Sequence, residues 1–275
     1  MNYFESVVLG IVEGLTEFLP VSSTGHLTIT EKIFGLPIDD PAITAYTAVI
    51  QIGAIAAVLV YFARDIRNIA VGWFAGLVKP ELRGSIDHRM GWYIIAGSIP
   101  IGVIGFIGKD IISGPLRSMW WVAGALIAWS AVMVLAERLG RQDRGEKRLT
   151  LRDAVLIGLA QCVALIPGVS RSGATISAGL LLNLDRVTAT RLSFFLSIPA
   201  LTAAGLYSLK DVIGSEISIG QTVVGTVTAF IVAYAAVAWL LKFVASNTIV
   251  AFVPYRVVLG LVLLGLLTTG VMSAT

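Results

Sequence analysis

The sequence predicts an all-α polytopic membrane protein, with six transmembrane helices and two shorter re-entrant helix-loop-helix hairpins. Of its 275 residues, 56% are hydrophobic and 13% are charged, whereas roughly a quarter of an ordinary soluble domain is charged. Because lipid offers the backbone no hydrogen-bond partners, the spans are expected to be helical. Each of six uncharged runs has about the 20 residues that a helical span needs: 41 to 63, 90 to 108, 118 to 136, 192 to 209, 217 to 241 and 257 to 275.

The first hairpin is expected over about 6 to 36. Residues 6 to 19 have helical apolar periodicity but are short for a span, and Pro20 interrupts them. A turn of small polar residues at 22 to 25 and a second apolar piece follow. At membrane depth such a break is tolerated only where protein or a water-filled cavity lines it.

Three spans complete the first half. Gln51 is the only strongly polar residue of the first span. The basic loop from 64 to 89 contains an apolar piece, 69 to 78, that is suited to the membrane surface. Pro100 and five glycines predict a bend and close packing in the second span, and Trp120-Trp121 predicts a membrane interface at the start of the third.

The most charged segment, 137 to 153, divides the chain into two repeats within one membrane domain, residues 1–140 and 150–275. The second repeat begins with a hairpin at about 154 to 184, which Pro167 interrupts. Its similarity to the first hairpin is short and needs a one-residue gap: Leu19-Pro20 matches Ile166-Pro167, Ser23-Thr24-Gly25 matches Ser170-Arg171-Ser172, and Glu13 matches Gln161.

The basic loops predict the topology. Excess lysine and arginine in the loops at 64 to 89 and 137 to 153 indicate that both are cytoplasmic, which leaves both termini extracytoplasmic. Three spans in each half is an odd number, so the halves are expected to form an inverted-topology repeat. The alternative is eight spanning, kinked helices.

Composition also excludes several classes of protein. The net charge of +3 sits mainly in these two loops, so it indicates membrane topology and no nucleic-acid partner. Cys162 is the only cysteine, which excludes intramolecular disulfides and cysteine metal clusters. No basic leader or small-residue cleavage site begins the sequence, so no signal peptide is expected.

Glu13 and Glu17 are the candidate metal ligands. Four residues apart, they share one helix face, and two neighbouring carboxylates repel unless a proton or cation lies between them. Their oxygens suit Mg²⁺ or Ca²⁺, completed by phosphate oxygens of a substrate. The alternative is a pair of acids that faces water.

Three further side chains of the first turn are candidates for catalysis. Ser23 and Thr24 are possible nucleophiles with His26 nearby as a base. Serine and threonine before an apolar run are also ordinary helix N-caps, and His26 is also explained as a packing residue.

Arg171 interrupts a long stretch without charge in the second hairpin. A cation at that depth is costly unless it meets an anion, and a guanidinium binds phosphate bidentately. Helix N-termini from both hairpins would add an anion site. The alternative is a structural pair with Glu13 or Glu17.

The stretches Glu13-Gly-Leu-Thr-Glu17-Phe-Leu-Pro-Val-Ser-Ser-Thr-Gly-His26 and Pro167-Gly-Val-Ser-Arg-Ser-Gly173 closely resemble the two signature motifs of the undecaprenyl pyrophosphate phosphatase, or bacitracin-resistance, family. The resemblance implies a hydrolase of the bacterial inner membrane that converts undecaprenyl diphosphate to undecaprenyl phosphate, recycling the lipid carrier of peptidoglycan synthesis. It also implies dependence on Mg²⁺ or Ca²⁺.

The resemblance also implies roles for individual residues. Glu17, Ser23, His26 and Arg171 would be catalytic, and Glu13 and Glu17 would hold the metal. Thr24, Ser170, Arg171, Ser172 and Gly173 would bind substrate, while Val169 stands where the family often has a small polar residue. Whether Ser23 attacks or a carboxylate activates water stays open.

Two other functions are compatible with the pattern. Broken helices in an inverted repeat also suit a transporter or flippase of a phosphorylated polyprenyl lipid. A structural scaffold would leave a buried arginine hard to explain. Membrane lipids are expected as partners, and the oligomeric state is open, a homo-oligomer included.

Overall fold

The computed structural model describes residues 1–38, 40–113, 116 and 118–274, and that part of the chain is helical without β-strands. This confirms the predicted all-α class. Six segments are long and apolar enough to cross a membrane, as expected. They are α3 (Pro41–Tyr61), α5 (Ile86–Ile107), α7 (Met119–Leu139), α10 (Arg186–Val212), α11 (Ile219–Val244) and the segment Ile249–Thr268, which consists of a 3-10 turn followed by α12 (Val253–Thr268).

Shorter helices make up most of the rest of the described chain. The first hairpin region contains α1 (Tyr3–Thr16) and α2 (Ser23–Ile33), and the second contains α8 (Leu151–Gln161), a 3-10 turn (Cys162–Leu165) and α9 (Arg171–Leu181). The remaining elements are α4 (Ala63–Val78), α6 (Lys109–Ser113) and the 3-10 turns Pro80–Leu82 and Glu146–Arg148.

The last apolar segment differs from its predicted position. It begins at Ile249, whereas the uncharged run starts at 257, because Arg256 lies inside the helix with none of its surface exposed. The guanidinium is accommodated there by hydrogen bonds to backbone carbonyls. A prediction that ends each span at a charged residue therefore puts Arg256 wrongly in a connecting loop.

The two hairpins start in the same way, 148 residues apart. Asn2 and Glu5 form a capping box at the start of α1, and Thr150 and Asp153 form one at the start of α8. Each box satisfies backbone N–H groups that a helix N-terminus would otherwise leave unpaired.

The same offset of 148 relates Ser22 to Ser170, the N-caps of α2 and α9. The predicted one-residue gap between the hairpins is therefore wrong. It came from aligning the two prolines, whereas the N-caps define the common register, in which Leu19 corresponds to Pro167.

Each hairpin begins with a helix that packs on the middle span of the other half. A Cβ added to Gly10 of α1 would lie within 3.0 Å of the carbonyl oxygen of Gly225 in α11, and one added to Gly158 of α8 would do the same at Gly97 of α5. Because glycine has no side chain, the backbones approach closely at both crossings. Gly10 and Gly158 are also 148 residues apart.

An aromatic core lies beside the two hairpins. Phe18 packs edge-to-face on Phe194 with ring centroids 5.3 Å apart, and Phe62 packs on Phe195 at 5.2 Å. All four rings are buried. Phe18 follows Glu17 directly, so this packing fixes the end of α1 from which the acidic side chain projects.

An ion pair holds the start of the second hairpin. Arg144 contacts Asp153, which also accepts hydrogen bonds from the backbone and hydroxyl of Thr150. Although burial alone would raise it, the hydrogen bonds from Arg144 and Thr150 lower the pKa of Asp153. The carboxylate therefore stabilises both the helix start and the preceding loop.

Candidate active site

The turns of the two hairpins bind each other through serine hydroxyls. The Ser22 hydroxyl oxygen accepts a hydrogen bond from the Gly168 backbone N–H at 3.1 Å. In return, the hydroxyls of Ser172 and Ser170 donate to the Leu19 carbonyl at 2.9 and 3.5 Å. The two turns are therefore joined directly, although their residues lie about 150 positions apart in sequence.

Ser22 and Ser170 adopt an uncommon backbone conformation. Both have φ of 78°, in the left-handed region that residues with a Cβ rarely occupy. Each hydroxyl accepts the backbone N–H three residues later, from Gly25 or Gly173. Such strain costs about 1–3 kcal/mol and persists where the surroundings enforce it, which is typical of functional sites.

Glu17, Ser23 and Arg171 are in direct contact where the two turns join. The Arg171 Nη2 atom lies 3.0 Å from Glu17 Oε1, and the Ser23 hydroxyl donates to Glu17 Oε2 at 2.5 Å. Only 9% of the Arg171 side chain and 4% of the Glu17 side chain are exposed. A hydroxyl, a carboxylate and a guanidinium are thus joined with little access to water.

These positions follow from the local structure. Glu17 is the C-cap residue of α1, whereas Ser23 and Arg171 are the first residues of α2 and α9. The end of α1 thus meets the starts of α2 and α9. A helix N-terminus stabilises a nearby negative charge, such as a carboxylate or a phosphate group. A second hydrogen bond, from Arg171 Nη1 to the Ser193 carbonyl at 3.1 Å, fixes the guanidinium against α10.

A cavity of about 130 Å³ opens onto this cluster. Part of its apolar wall comes from Ile101 and Leu201, each within two residues of a proline inside a span, Pro100 or Pro199. The volume suits a phosphorylated headgroup better than a long apolar chain. Its polar lining consists of Glu17, Ser22, Ser23, Thr24, Gln51, Ser170 and Arg171.

Four of the candidate residues lie outside this lining. Ser172 and Gly173 support the turn through hydrogen bonds with Leu19 and Ser170. His26 Nδ1 is 2.7 Å from the Ser22 carbonyl and Nε2 is 2.6 Å from the Tyr255 hydroxyl. With both ring nitrogens engaged, His26 is not the hydrogen-bond partner of Ser23; Glu17 is.

Glu13, the fourth candidate outside the cavity lining, is a fully buried carboxylate. No described donor hydrogen bonds to either of its oxygens. It is close enough to Glu17 for the two carboxylates to repel. Such a group requires a proton or a cation. The described residues include no group of three or more His, Cys, Asp or Glu side chains placed for a metal. A cation held by these two carboxylates would therefore take its other ligands from water or from a substrate.

Arg256 is a site residue that sequence reasoning missed. Its guanidinium donates to the carbonyls of Pro20 at 2.9 Å, Gly168 at 2.9 Å and Val169 at 3.1 Å, so it holds both turns at once. No described carboxylate pairs with it. Tyr255, its neighbour in sequence, stacks on His26. The one signal in the sequence was a charge at the edge of an apolar run.

Comparisons with known proteins identify the family. A sequence profile described as "Bacitracin resistance protein BacA" matches residues 6–262. The chain is 54% identical over 275 residues to an "Undecaprenyl-diphosphatase" of Acidothermus cellulolyticus, covering all of both chains. It is 56% identical over 271 residues to "Undecaprenyl-diphosphatase 1" of Streptomyces coelicolor, covering 98% of each, and 54% identical over 279 residues to an "Undecaprenyl-diphosphatase" of Mycolicibacterium smegmatis, covering all of both. With a match across nearly its whole length, the chain belongs to the bacitracin resistance protein BacA family.

Proposed function

We propose that this membrane protein is an undecaprenyl-diphosphatase. It hydrolyses undecaprenyl diphosphate to undecaprenyl phosphate and inorganic phosphate, which recycles the lipid carrier of peptidoglycan synthesis and confers bacitracin resistance. The observation that carries the proposal is the contact among Glu17, Ser23 and Arg171 in a cavity between the two family motifs.

Arg171 is proposed to bind the diphosphate. Its guanidinium supplies parallel N–H donors that match phosphate oxygens, and burial strengthens this interaction. Negative charge that develops on the terminal phosphoryl oxygens is stabilised by the same group and by the starts of α2 and α9.

Glu17 is proposed as the base. Its Oε2 already accepts a hydrogen bond from the Ser23 hydroxyl, so it is placed to take the proton as the Ser23 oxygen attacks phosphorus. Attack on the terminal phosphorus breaks its bond to the bridging oxygen and releases undecaprenyl phosphate; water then cleaves the phosphoserine. In the alternative, Glu17 activates a water molecule and Ser23 orients it.

A divalent cation, Mg²⁺ or Ca²⁺, is proposed as the cofactor, with Glu13 and Glu17 as its protein ligands. The support is the buried carboxylate of Glu13, which no described donor satisfies. When bound, the cation neutralises phosphate charge. The remaining candidates, His26, Thr24, Ser170, Ser172 and Gly173, are proposed to shape the turns around the headgroup.

The membrane arrangement is proposed as an inverted repeat of residues 1–140 and 150–275, each starting with a re-entrant hairpin. Helices α1 and α8 have 14 and 11 residues, about 21 and 16 Å at 1.5 Å per residue, against an apolar bilayer thickness of about 30 Å. The common offset of 148 and the reciprocal packing of Gly10 and Gly158 support two equivalent halves.

The orientation is proposed from the basic loops, with both termini on the extracytoplasmic side of the bacterial inner membrane. Single cysteines at Asn2 and Gln142 in a Cys162→Ser background test it. An impermeant thiol reagent added to intact cells should label position 2 but not position 142. The opposite pattern would reverse the topology.

A transporter or flippase of a phosphorylated polyprenyl lipid is the second candidate. Proline-interrupted spans beside the cavity, at Pro100 and Pro199, favour it. An enzyme with Glu17→Gln or Arg171→Ala loses turnover, whereas a carrier loses lipid movement and has no phosphate chemistry to lose.

The decisive test is phosphate release from undecaprenyl diphosphate by purified protein in detergent, with Mg²⁺ or Ca²⁺ and with EDTA. Activity should require the cation and disappear in Glu17→Gln. Glu81→Gln, an exposed acid far from the cavity in sequence, is the matched control and should retain activity. No phosphate release by the unsubstituted protein would refute the proposed function.

A further inference from the structure

We infer that Gln51 is a substrate-binding residue whose side-chain amide donates a hydrogen bond to a non-bridging oxygen of the lipid diphosphate. This inference rests on the proposed function and extends it. It adds a polar side chain from a spanning helix, α3, to a cavity whose other polar groups come from the two hairpin turns.

The position of Gln51 on α3 is the first observation. Its neighbour Ile50 and the next turn's Ala54 are fully buried in the protein, whereas Gln51 is partly exposed and lines the cavity together with Glu17, Ser23 and Arg171. A diphosphate that occupies this cavity of about 130 Å³ therefore has Gln51 among the groups that surround it.

The amide of Gln51 has no hydrogen-bond partner among the described residues. Two other polar side chains of α3 bond within the protein: the Thr47 hydroxyl donates to the Thr44 carbonyl at 2.9 Å, and the Tyr46 hydroxyl donates to the Ser6 carbonyl. The amide is partly exposed, so it is available to a molecule that occupies the cavity. The cavity is the place where this group can find a partner.

The charges of the cavity indicate which partner. Arg171 is its only cation among the described lining residues, and it is already paired with Glu17. The hydroxyls of Ser23 and Ser170 already donate within the protein, to Glu17 and to the Leu19 carbonyl. A diphosphate that enters therefore needs further donors, and the two N–H bonds of a glutamine amide supply them without adding charge.

The test compares Gln51→Met, which keeps the length and removes the donor, with Gln51→Glu and Gln51→Asn. A hydrogen bond to a charged group contributes enough that its loss should raise KM for undecaprenyl diphosphate roughly tenfold or more, with a smaller change in kcat. Gln51→Glu should be worse, because it sets a carboxylate against the phosphate, and Gln51→Asn should be intermediate. Thr47→Val, one turn earlier on α3, is the control and should leave KM unchanged.

A second readout does not depend on turnover. Inorganic pyrophosphate should raise the thermal unfolding temperature of the unsubstituted protein and of Thr47→Val, but much less that of Gln51→Met. An unchanged KM and unchanged protection in Gln51→Met would overturn the inference. Full recovery of Gln51→Met at higher Mg²⁺ would also overturn it, since that result makes Gln51 a metal ligand.

The two proposals can fail separately. If the unsubstituted protein binds pyrophosphate and releases no phosphate from the lipid, the phosphatase proposal fails, and loss of protection in Gln51→Met still supports the binding role. If the phosphatase is active and Gln51→Met matches it in both readouts, the Gln51 inference alone fails.

Discussion

Glu17 and Arg171 are 154 residues apart in sequence, and their side chains form a buried ion pair of 3.0 Å. The pair is the point at which the two hairpins contribute opposite charges to one cavity. Breaking a buried pair by removing one partner leaves an uncompensated charge, which typically costs about 3–5 kcal/mol.

The first prediction concerns this pair. Glu17→Gln and Arg171→Ala should each abolish phosphate release and lower the unfolding temperature in detergent. The double variant should be less destabilised than the sum of the single variants, because neither charge is then left alone. Additive unfolding shifts would contradict a direct energetic coupling.

Ser23→Ala should reduce kcat by about 100-fold or more, since the variant lacks the hydroxyl that Glu17 orients. Ser22→Ala is a comparison at the adjacent residue, where the hydroxyl caps α2 and binds Gly168. It should chiefly lower stability. Acid quenching during turnover with labelled lipid should trap a phosphoserine; a normal rate for Ser23→Ala would exclude Ser23 as the nucleophile.

Glu13→Gln should raise the Mg²⁺ concentration needed for half-maximal activity roughly tenfold or more, because a site with fewer charged ligands binds the cation more weakly. In EDTA the same variant should be at least as stable as the unsubstituted protein, since it no longer buries an unsatisfied carboxylate. A loss of stability in EDTA with an unchanged Mg²⁺ requirement would argue for a purely structural acid.

Arg256→Met should destabilise the protein by about 3 kcal/mol or more, because it leaves the carbonyls of Pro20, Gly168 and Val169 without a donor. Arg256→Lys keeps a cationic donor at this position and should recover part of the lost stability. The exposed Arg152→Met is the control for loss of a cation. Equal stability of the Arg152 and Arg256 variants would disprove the role of Arg256 in holding the turns.

Asp153→Asn should lower the unfolding temperature at pH 7 by about 2–4 °C, as expected for a loss of about 1 kcal/mol. Because the pKa of Asp153 is lowered in the folded protein, its stabilisation is present above the ordinary aspartate pKa and is lost as the pH falls through the lowered value. The difference between variant and parent should therefore shrink towards pH 3. A difference independent of pH would mean that the charge of Asp153 contributes nothing.

The spans were predictable because each one can be recognised from its own sequence. A helix that crosses lipid needs about 20 apolar residues, whatever the rest of the chain does. Glu17, Ser23 and Arg171 were also predictable as candidates, because ionised or nucleophilic groups in apolar surroundings are conspicuous. Their mutual contacts depend on how two distant turns pack.

Other parts of the site were not predictable for the same reason. Arg256 has hydrogen-bond partners up to 236 positions away, so no local spacing reveals them. His26 suggested a base for Ser23 by proximity in sequence, yet helix α2 directs its ring to Tyr255. The prolines suggested the wrong register between the hairpins, because serine N-caps with unusual φ values determine where each turn begins.

The hydrogen bonds of Arg256 have a consequence for biogenesis. Arg256, which bonds to both turns, belongs to the final span, so the proposed catalytic centre lacks these bonds until that span has left the ribosome and entered the membrane. We therefore expect nascent protein to be inactive until the last helix has inserted, and a shortened product that lacks this helix to be inactive in the membrane.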